Sequence, residues 1–573
     1  MDRRAFLLRA GAFAASPLVV GSAKSEAANG DAKKAGSSTA EAMDAFVPTY
    51  IKAMNAPGLT LGWVDAKGRG ATACYGFANL DTQQRVSPEQ LFQIGSISKS
   101  FLAVILLQLR EEGRLDFDRP ALEYMPWLAI ETPFGAVTLH HMLTHSSGLP
   151  GDGNVFPTNL ADKARQAYKP GERFHYSNFC FEAMGKLVET LDARPYGESV
   201  QKRILDPLGM TETSPRLTEL IRARTAESYT PELRDRPFPR HGKLASAAKI
   251  VSDSAAGSIA STPGDMRKYM QMLLNRGQAP QKRLLKEESF ALMAHPHVKA
   301  EEFGPTASYG YGIAVDTLNG HTILRHTGGM VSFMSAMHLD IDGGYGAFAS
   351  INAQLGYRPN PVAQLAIECL RAEADGKPLP AAPVVADREV LRDAKGYEGS
   401  YFGGDGRNCR VESKGDRLRL HLDDREVELE SLGGDRFLSS LPEYSAFAFV
   451  FRREERKAGA ETPGAIIELV HGGRWFSRSE GQGASVQPSR LTPYTGMYGN
   501  DSPWLGSFRV VERKGQLWVE GELPLIEMGE ALFRAGDEPD SPETVAFYHF
   551  VDGKAQLAKS GGSDFWRITT EML

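Results

Sequence analysis

The apolar residues Phe101, Val104, Ile105, Leu106 and Leu109 recur with only short polar gaps, the pattern of a helix buried on most of its sides. Ahead of it the spacing predicts a helix over 43–54. A β-hairpin follows, formed by 58–63 and 71–77 on either side of a Gly-rich turn. Helices and loops dominate from there to about residue 275. Strand character returns over 310–315, 321–326, 333–339 and 344–351, and a last helix is expected over 361–372. Helix, hairpin, many helices, strands and helix, in that order, describe an antiparallel sheet flanked by helical material.

A proline-rich linker over 375–390 separates this part, 41–374, from a region of alternating strands that repeats itself. Tyr397-Glu-Gly399-Ser-Tyr401 returns as Tyr494-Thr-Gly496-Met-Tyr498, and the Gly472-Gly473 pair near the end of the first copy is echoed by Gly561-Gly562. Each copy is long enough for about eight short strands, which predicts two antiparallel β-barrels, 391–486 and 487–573. One barrel assembled from two halves is the alternative. The expected fold is therefore multidomain: an α/β plus all-α domain followed by all-β barrels.

Composition narrows the function. With 42% hydrophobic and 24% charged residues in 573, the chain is ordinary globular material, and a formal charge of -6 with no long basic block gives nucleic acid no electrostatic footprint. The four cysteines are scattered without a C-x-x-C pair and read as small buried hydrophobes. His141 and His145 could share a helix face, but Met142 stands where an H-E-x-x-H site needs its glutamate, so no metal is expected. The first residues read as a processing signal, 1–23: Arg3-Arg4 followed by Phe6-Leu7 resembles a twin-arginine signal, with a generic secretory signal as the alternative. A disordered spacer over 24–40 follows. These features predict a periplasmic or secreted protein without a stable membrane anchor, because the apolar run is short for a span of ~20 residues.

The chemistry concentrates at Gly95-Ser96-Ile97-Ser98-Lys99, which opens the apolar helix. A serine at a helix mouth has unpaired backbone N–H groups beside it, and these stabilise negative charge developing on its oxygen. Lys99, three residues on, lies on the same face and can reach that hydroxyl, and burial would lower its pKa enough for it to act as a base. Downstream, Tyr176-Ser177-Asn178 offers a phenol and a carboxamide two residues apart, on one side of an extended segment. Tyr176 can relay a proton, and Asn178 can hold Lys99 and a substrate carbonyl. A third element, His326-Thr327-Gly328-Gly329, ends a strand in two glycines that let a substrate approach, and the Gly329 N–H could join that of Ser96 as an oxyanion hole.

With these three elements in place, the chain resembles the class C β-lactamase and penicillin-binding-protein family of serine hydrolases, which includes D-aminopeptidases and carboxylesterases. The resemblance spans about 43–372 and takes in Glu112-Gly113-Arg114-Leu115-Asp116, the stretch from Leu143 to Pro150, Pro207-Leu208-Gly209-Met210 and Tyr309-Gly310-Tyr311-Gly312. It implies a β-lactamase/transpeptidase-like catalytic domain, Ser96 as nucleophile, Lys99 and Tyr176 as proton handlers, and an acyl-enzyme formed without metal or organic cofactor. True β-lactamases of this type carry a lysine where this chain has His326. That difference weakens recognition of an anionic carboxylate and is similar to D-aminopeptidases and several esterases. Paired C-terminal barrels, which roof the site in D-aminopeptidase, make that relative the closest in layout.

The expected activity is hydrolysis of a small peptide or D-amino-acid amide. The alternatives are a carboxylesterase or β-lactamase of the same family, or a penicillin-binding receptor that acylates with little turnover. The expected partner is a small-molecule or short-peptide substrate, with a homodimer allowed for. No G-x-S-x-G occurs, which removes an α/β-hydrolase nucleophile elbow.

Overall fold

The computed structural model describes residues 38–569 apart from 158–162, 357, 386–388, 390, 392, 404–405, 455–463 and 480–488. The expected signal and nearly all of the expected spacer lie outside the described residues. Two compact units are present. The first holds the described residues up to Thr230 together with Leu244–Val385, and the second holds Pro231–Lys243 and the described residues from Glu389 on.

The first unit begins with helix α1 (Thr39–Ala53), which starts upstream of the expected 43 because Ser38 and Glu41 form a capping box. Strands β1 (Gly58–Asp65) and β2 (Gly70–Asn79) make the expected hairpin, in the register Leu59 opposite Tyr75. The two-residue strand β3 (Gln84–Arg85) then extends it. The apolar helix α2 (Ser98–Glu111) is buried from Ser98 through Leu107 and again at Leu109, and Phe101 stacks on Tyr269 with ring centroids 3.8 Å apart. Two further helices matter for the site, α3 (Asn178–Asp192) and α4 (Pro263–Leu274).

The strands that follow are β4 (Val298–Lys299), β5 (Ser308–Tyr309), β6 (Ala314–Leu318), β7 (His321–Met330), β8 (Phe333–Asp340) and β9 (Tyr345–Ile351), and helix α5 (Pro359–Ala374) closes the unit. Among the described residues, nine strands form one antiparallel sheet in the order β4-β5-β6-β7-β8-β9-β1-β2-β3. Gly346 lies against Met270 of α4, whereas the next residue, Ala347, sits opposite His338, which bonds Asn360 of α5. Alternation along the strand therefore puts α4 and α5 on opposite faces, and β1, an interior strand of the sheet, is buried at every position.

Two strands differ most from their expected bounds. The stretch 310–315 is broken, because Gly312 takes φ +66° and turns the chain against the Lys99 carbonyl. Strand β7 does not end at its glycines but continues to Met330, paired with β8 to the end (Gly328 opposite Ser335). Its other neighbour, β6, stops at the Ala314–Arg325 pair, so 326–330 have a strand partner on one side only.

In the second unit, two separate closed barrels of eight strands each answer the question left open by the repeat. The first runs from Gly399 to Ser477 and the second from Gly496 to Ile568. The repeated motif marks the same device in both. Tyr401 donates its hydroxyl hydrogen bond to the Tyr397 carbonyl at 2.6 Å, and Tyr498 does the same to Tyr494 at 2.8 Å. The intervening glycines, Gly399 and Gly496, take φ +139° and +152° to make the bend. Each barrel has its own apolar interior, around Tyr401, Leu420 and Phe451 in one and Tyr498, Val519 and Phe547 in the other. The stretch Pro231–Lys243 belongs with this unit, where Asp235 pairs with Arg509 and Arg236 bonds Ser445 at 2.9 Å.

Candidate active site

Ser96 lies in a 3₁₀ turn, Gly95–Ile97, that runs directly into α2, so its hydroxyl stands one step ahead of the helix rather than in its first turn. Gly95 takes φ +55°, and its backbone presses against β7: a Cβ there would fall 2.6 Å from the Gly329 nitrogen. The reciprocal contact is closer still, since a Cβ on Gly328 would fall 1.8 Å from the Ile94 carbonyl oxygen. Gly328 is thus required by the approach of two protein backbones. Gly328→Ala forces the strand away from the serine turn, and overpacking of this kind costs about 1–3 kcal/mol. We expect a lowered melting temperature in thermal unfolding; an unchanged one would mean that the strand retreats freely.

Lys99 is completely buried. Its Nζ donates to Asn178 Oδ1 at 2.7 Å and to the Ala256 carbonyl at 2.8 Å, and lies 3.1 Å from Ser96 Oγ. The first two partners can only accept, so they take two of the amine's protons. The remaining tetrahedral position points at Ser96. On a neutral amine that position is the lone pair, and the serine O–H donates to it. Burial pushes the Lys99 pKa down to about 7, against the opposing pull of the Glu182 and Asp152 carboxylates. The geometry and the proton affinity therefore suit a base for the Ser96 hydroxyl near neutral pH.

Tyr176 and Asn178 reach this amine from different local structures, not from one extended segment. Ser177 caps α3, its Oγ accepting from the Cys180 N–H at 3.2 Å, so Asn178 opens the helix while Tyr176 remains in the preceding loop. The carboxamide is oriented at both ends: Oδ1 accepts from Lys99 and Nδ2 donates to Asp152 at 3.0 Å. The Tyr176 ring centroid is 4.9 Å from Lys99 Nζ. His145 holds this loop on both sides of the tyrosine. The His175 N–H donates to its carbonyl at 2.7 Å, the Ser177 N–H donates to its Nδ1 at 2.9 Å, and its ring lies 4.2 Å from that of Tyr176.

His326 is buried, and both of its ring nitrogens are engaged within the protein. Nδ1 lies 2.5 Å from the Thr327 carbonyl, which can only accept, so this nitrogen carries the proton. Nε2 then accepts from the Tyr309 hydroxyl at 2.8 Å. Burial, helped by the nearby Lys99, pushes the His326 pKa down to about 3, so the ring is neutral. Beside it, Thr327 and Gly329 are half-exposed along the edge of β7 that lacks a strand neighbour, and Ser96, Tyr176 and Asn178 are half-exposed as well.

Sequence reasoning brought together Ser96, Lys99, Tyr176, Asn178 and the 326–329 segment, but gave no role at this site to Asp152, Glu182, Ala256, His145 and Tyr309. Glu182 was within reach of a periodicity argument, since it follows Asn178 by one helical turn and faces the same amine. The Ala256 carbonyl comes from the small-residue loop Ser254-Ala255-Ala256-Gly257-Ser258, which carries no pattern. Among the described residues, no group of three or more His, Cys, Asp or Glu side chains is arranged to hold a metal ion. Nor is any helix among them long and apolar enough to cross a membrane.

A protein-family profile described as Beta-lactamase matches residues 38–370. Protein flp of Staphylococcus aureus (strain COL) is 24% identical over 312 residues, 51% of this chain and 58% of that protein. Penicillin-binding protein 4 of Amycolatopsis lactamdurans is 27% identical over 234 residues, 38% of this chain and 60% of that protein. The chain thus spans less than two thirds of the length of these curated relatives. Among solved structures, the octameric penicillin-binding protein homologue from Pyrococcus abyssi aligns with a TM-score of 0.51 at 24% identity, over 76% of this chain and 99% of that one, a likeness of fold.

Proposed function

The chain belongs to the β-lactamase family of serine hydrolases, and on that premise we propose that it cleaves an amide or ester through an acyl-enzyme on Ser96. The observation that carries this reading is the Lys99 amine, which has two protons committed to fixed acceptors and its third position 3.1 Å from Ser96 Oγ. In the proposed reaction Lys99 takes the serine proton as Oγ bonds to the carbonyl carbon. The oxyanion rests on the N–H groups of Ser96 and Gly329, and a proton returns to the leaving group through Lys99 and Tyr176. Water then repeats the sequence in reverse and releases the acid. Asn178 orients the amine and, with the open edge of β7 at Thr327–Gly329, lines the substrate.

The substrate class we favour is a small peptide or D-amino-acid amide, because His326 presents no charge and the paired barrels match the layout expected of a D-aminopeptidase-like enzyme. A carboxylesterase of the same family is the neighbouring possibility. Export by the twin-arginine route, to the periplasm or beyond, is proposed on the Arg3-Arg4 and Phe6-Leu7 pattern alone.

The test is a fluorophosphonate adduct on Ser96 by mass spectrometry, together with a pH profile on p-nitrophenyl esters and D-aminoacyl amides. The neutral amine is the active form, so kcat/KM should rise about tenfold per pH unit on the acid side and level off above about 7. Glu182 favours the charged amine, so Glu182→Gln should move this limb to lower pH. A profile flat from pH 5 to 9, or an adduct elsewhere, would refute the mechanism. A permanent adduct without turnover would indicate an acylating receptor instead.

A further inference from the structure

We infer that the subsite beside strand β7 takes an uncharged, apolar group of the substrate, and that Phe303 determines this selectivity; the inference rests on the acyl-enzyme reading of Ser96. Phe303 stands on a 3₁₀ turn, Glu301–Phe303, between β4 and β5. Its ring is 5.4 Å from that of His326, 5.4 Å from Tyr309, 6.1 Å from Phe174 and 6.4 Å from Tyr176. Phe174 and Tyr176 are 6.4 Å apart, so the half-exposed rings of Phe174, Tyr176 and Phe303 form one wall, with Tyr309 and His326 buried behind it.

The polar groups behind this wall, on Tyr309 and His326, are already engaged within the protein. The Tyr309 hydroxyl donates to His326 Nε2, and the Nδ1–H of His326 donates to Thr327. Neither histidine nitrogen has a proton or a lone pair left for a ligand. The guanidinium next in the chain, Arg325, is held 2.6 Å from Asp316 and also bonds the Phe303 carbonyl, which fixes the turn that presents the ring. The Lys99 amine points at Ser96 and its two acceptors. A carboxylate placed against the wall would lose its water without gaining a hydrogen bond from His326 or Tyr309, whereas an aryl or branched alkyl group would exchange water for ring faces.

The experiment uses two matched substrate pairs: p-nitrophenyl valerate against p-nitrophenyl hemiglutarate, which differ at the acyl end, and phenyl acetate against 4-carboxyphenyl acetate, which differ at the leaving group. The expected result is a preference for the neutral member of at least one pair of about 100-fold in kcat/KM, the scale of a charge left unpaired. Phe303→Ala should raise KM for that neutral member about tenfold. Phe303→Leu should keep the preference and Phe303→Lys should narrow it below about fivefold, the fold of each variant being followed by thermal unfolding. Equal turnover of neutral and anionic members by the wild type, or a preference unmoved in Phe303→Lys, overturns the inference. Absence of any Ser96 adduct in the wild type would instead overturn the acyl-enzyme reading beneath it.

Discussion

Ser96→Ala is expected to lower kcat/KM on the order of 10⁴-fold or more for any ester or amide that the wild type hydrolyses. The substitution removes the atom that bonds to the substrate carbonyl while leaving its surroundings in place. Ser96 is half-exposed, and the turn that carries it is set by Gly95 and by the backbone contact with Gly328 and Gly329. Alanine fits that turn without strain, so the melting temperature should stay within a few degrees of the wild type. The fluorophosphonate adduct on the 95–97 peptide should disappear. Turnover within tenfold of the wild type would mean that another group performs the chemistry.

Lys99→Met should cost about 10³-fold in kcat/KM, within the range that a positioned base contributes. Methionine has nearly the shape of the lysine stem, so the packing against Phe181 and Tyr176 is largely kept. The variant leaves Asn178 Oδ1 and the Ala256 carbonyl without their donor, which is unfavourable, but it also removes the need to keep an amine in a fully buried place. The diagnostic readout is the pH profile. With Lys99 gone, the acid limb near 7 should vanish, and raising the pH should not restore the rate. A limb that persists unchanged in Lys99→Met would assign it to another group, and a loss of less than tenfold would remove Lys99 from the role of base.

The legibility of the site followed the distance over which its contacts act. Ser96 and Lys99 were readable because three residues along a helix bring them to one face. Tyr176 and Asn178 were readable as a pair, but their local structure was not. Both lie near a helix start, and the cap at Ser177, which divides loop from helix, interrupts what reads locally as one extended segment. The glycines of β7 were singled out for the approach of a substrate; at Gly328 the structure adds another reason, the close approach of the Ile94–Gly95 backbone, 233 or more residues earlier in the chain. His326 was noticed as a substituted lysine. Its loss of ligand-binding capacity depends on Tyr309, whose hydroxyl nothing in the local pattern ties to it.

The same division holds for the fold. The paired Tyr-x-Gly-x-Tyr motifs announced two copies of one unit, because each tyrosine bonds a carbonyl four residues away and the bend between them demands a positive φ. Whether those copies close separately or together is settled by strand pairings at their far ends, where residues some 70 positions apart meet, and only tertiary structure decides that. The sequence by itself determined what the covalent chain places within a few residues: the serine–lysine spacing, the apolar helix, the repeat and the hairpin. The tertiary structure alone decided which distant groups take two of the amine's protons and leave its third position to the serine, and which ring neutralises the subsite. Those choices arise from packing between segments, and no local periodicity records them.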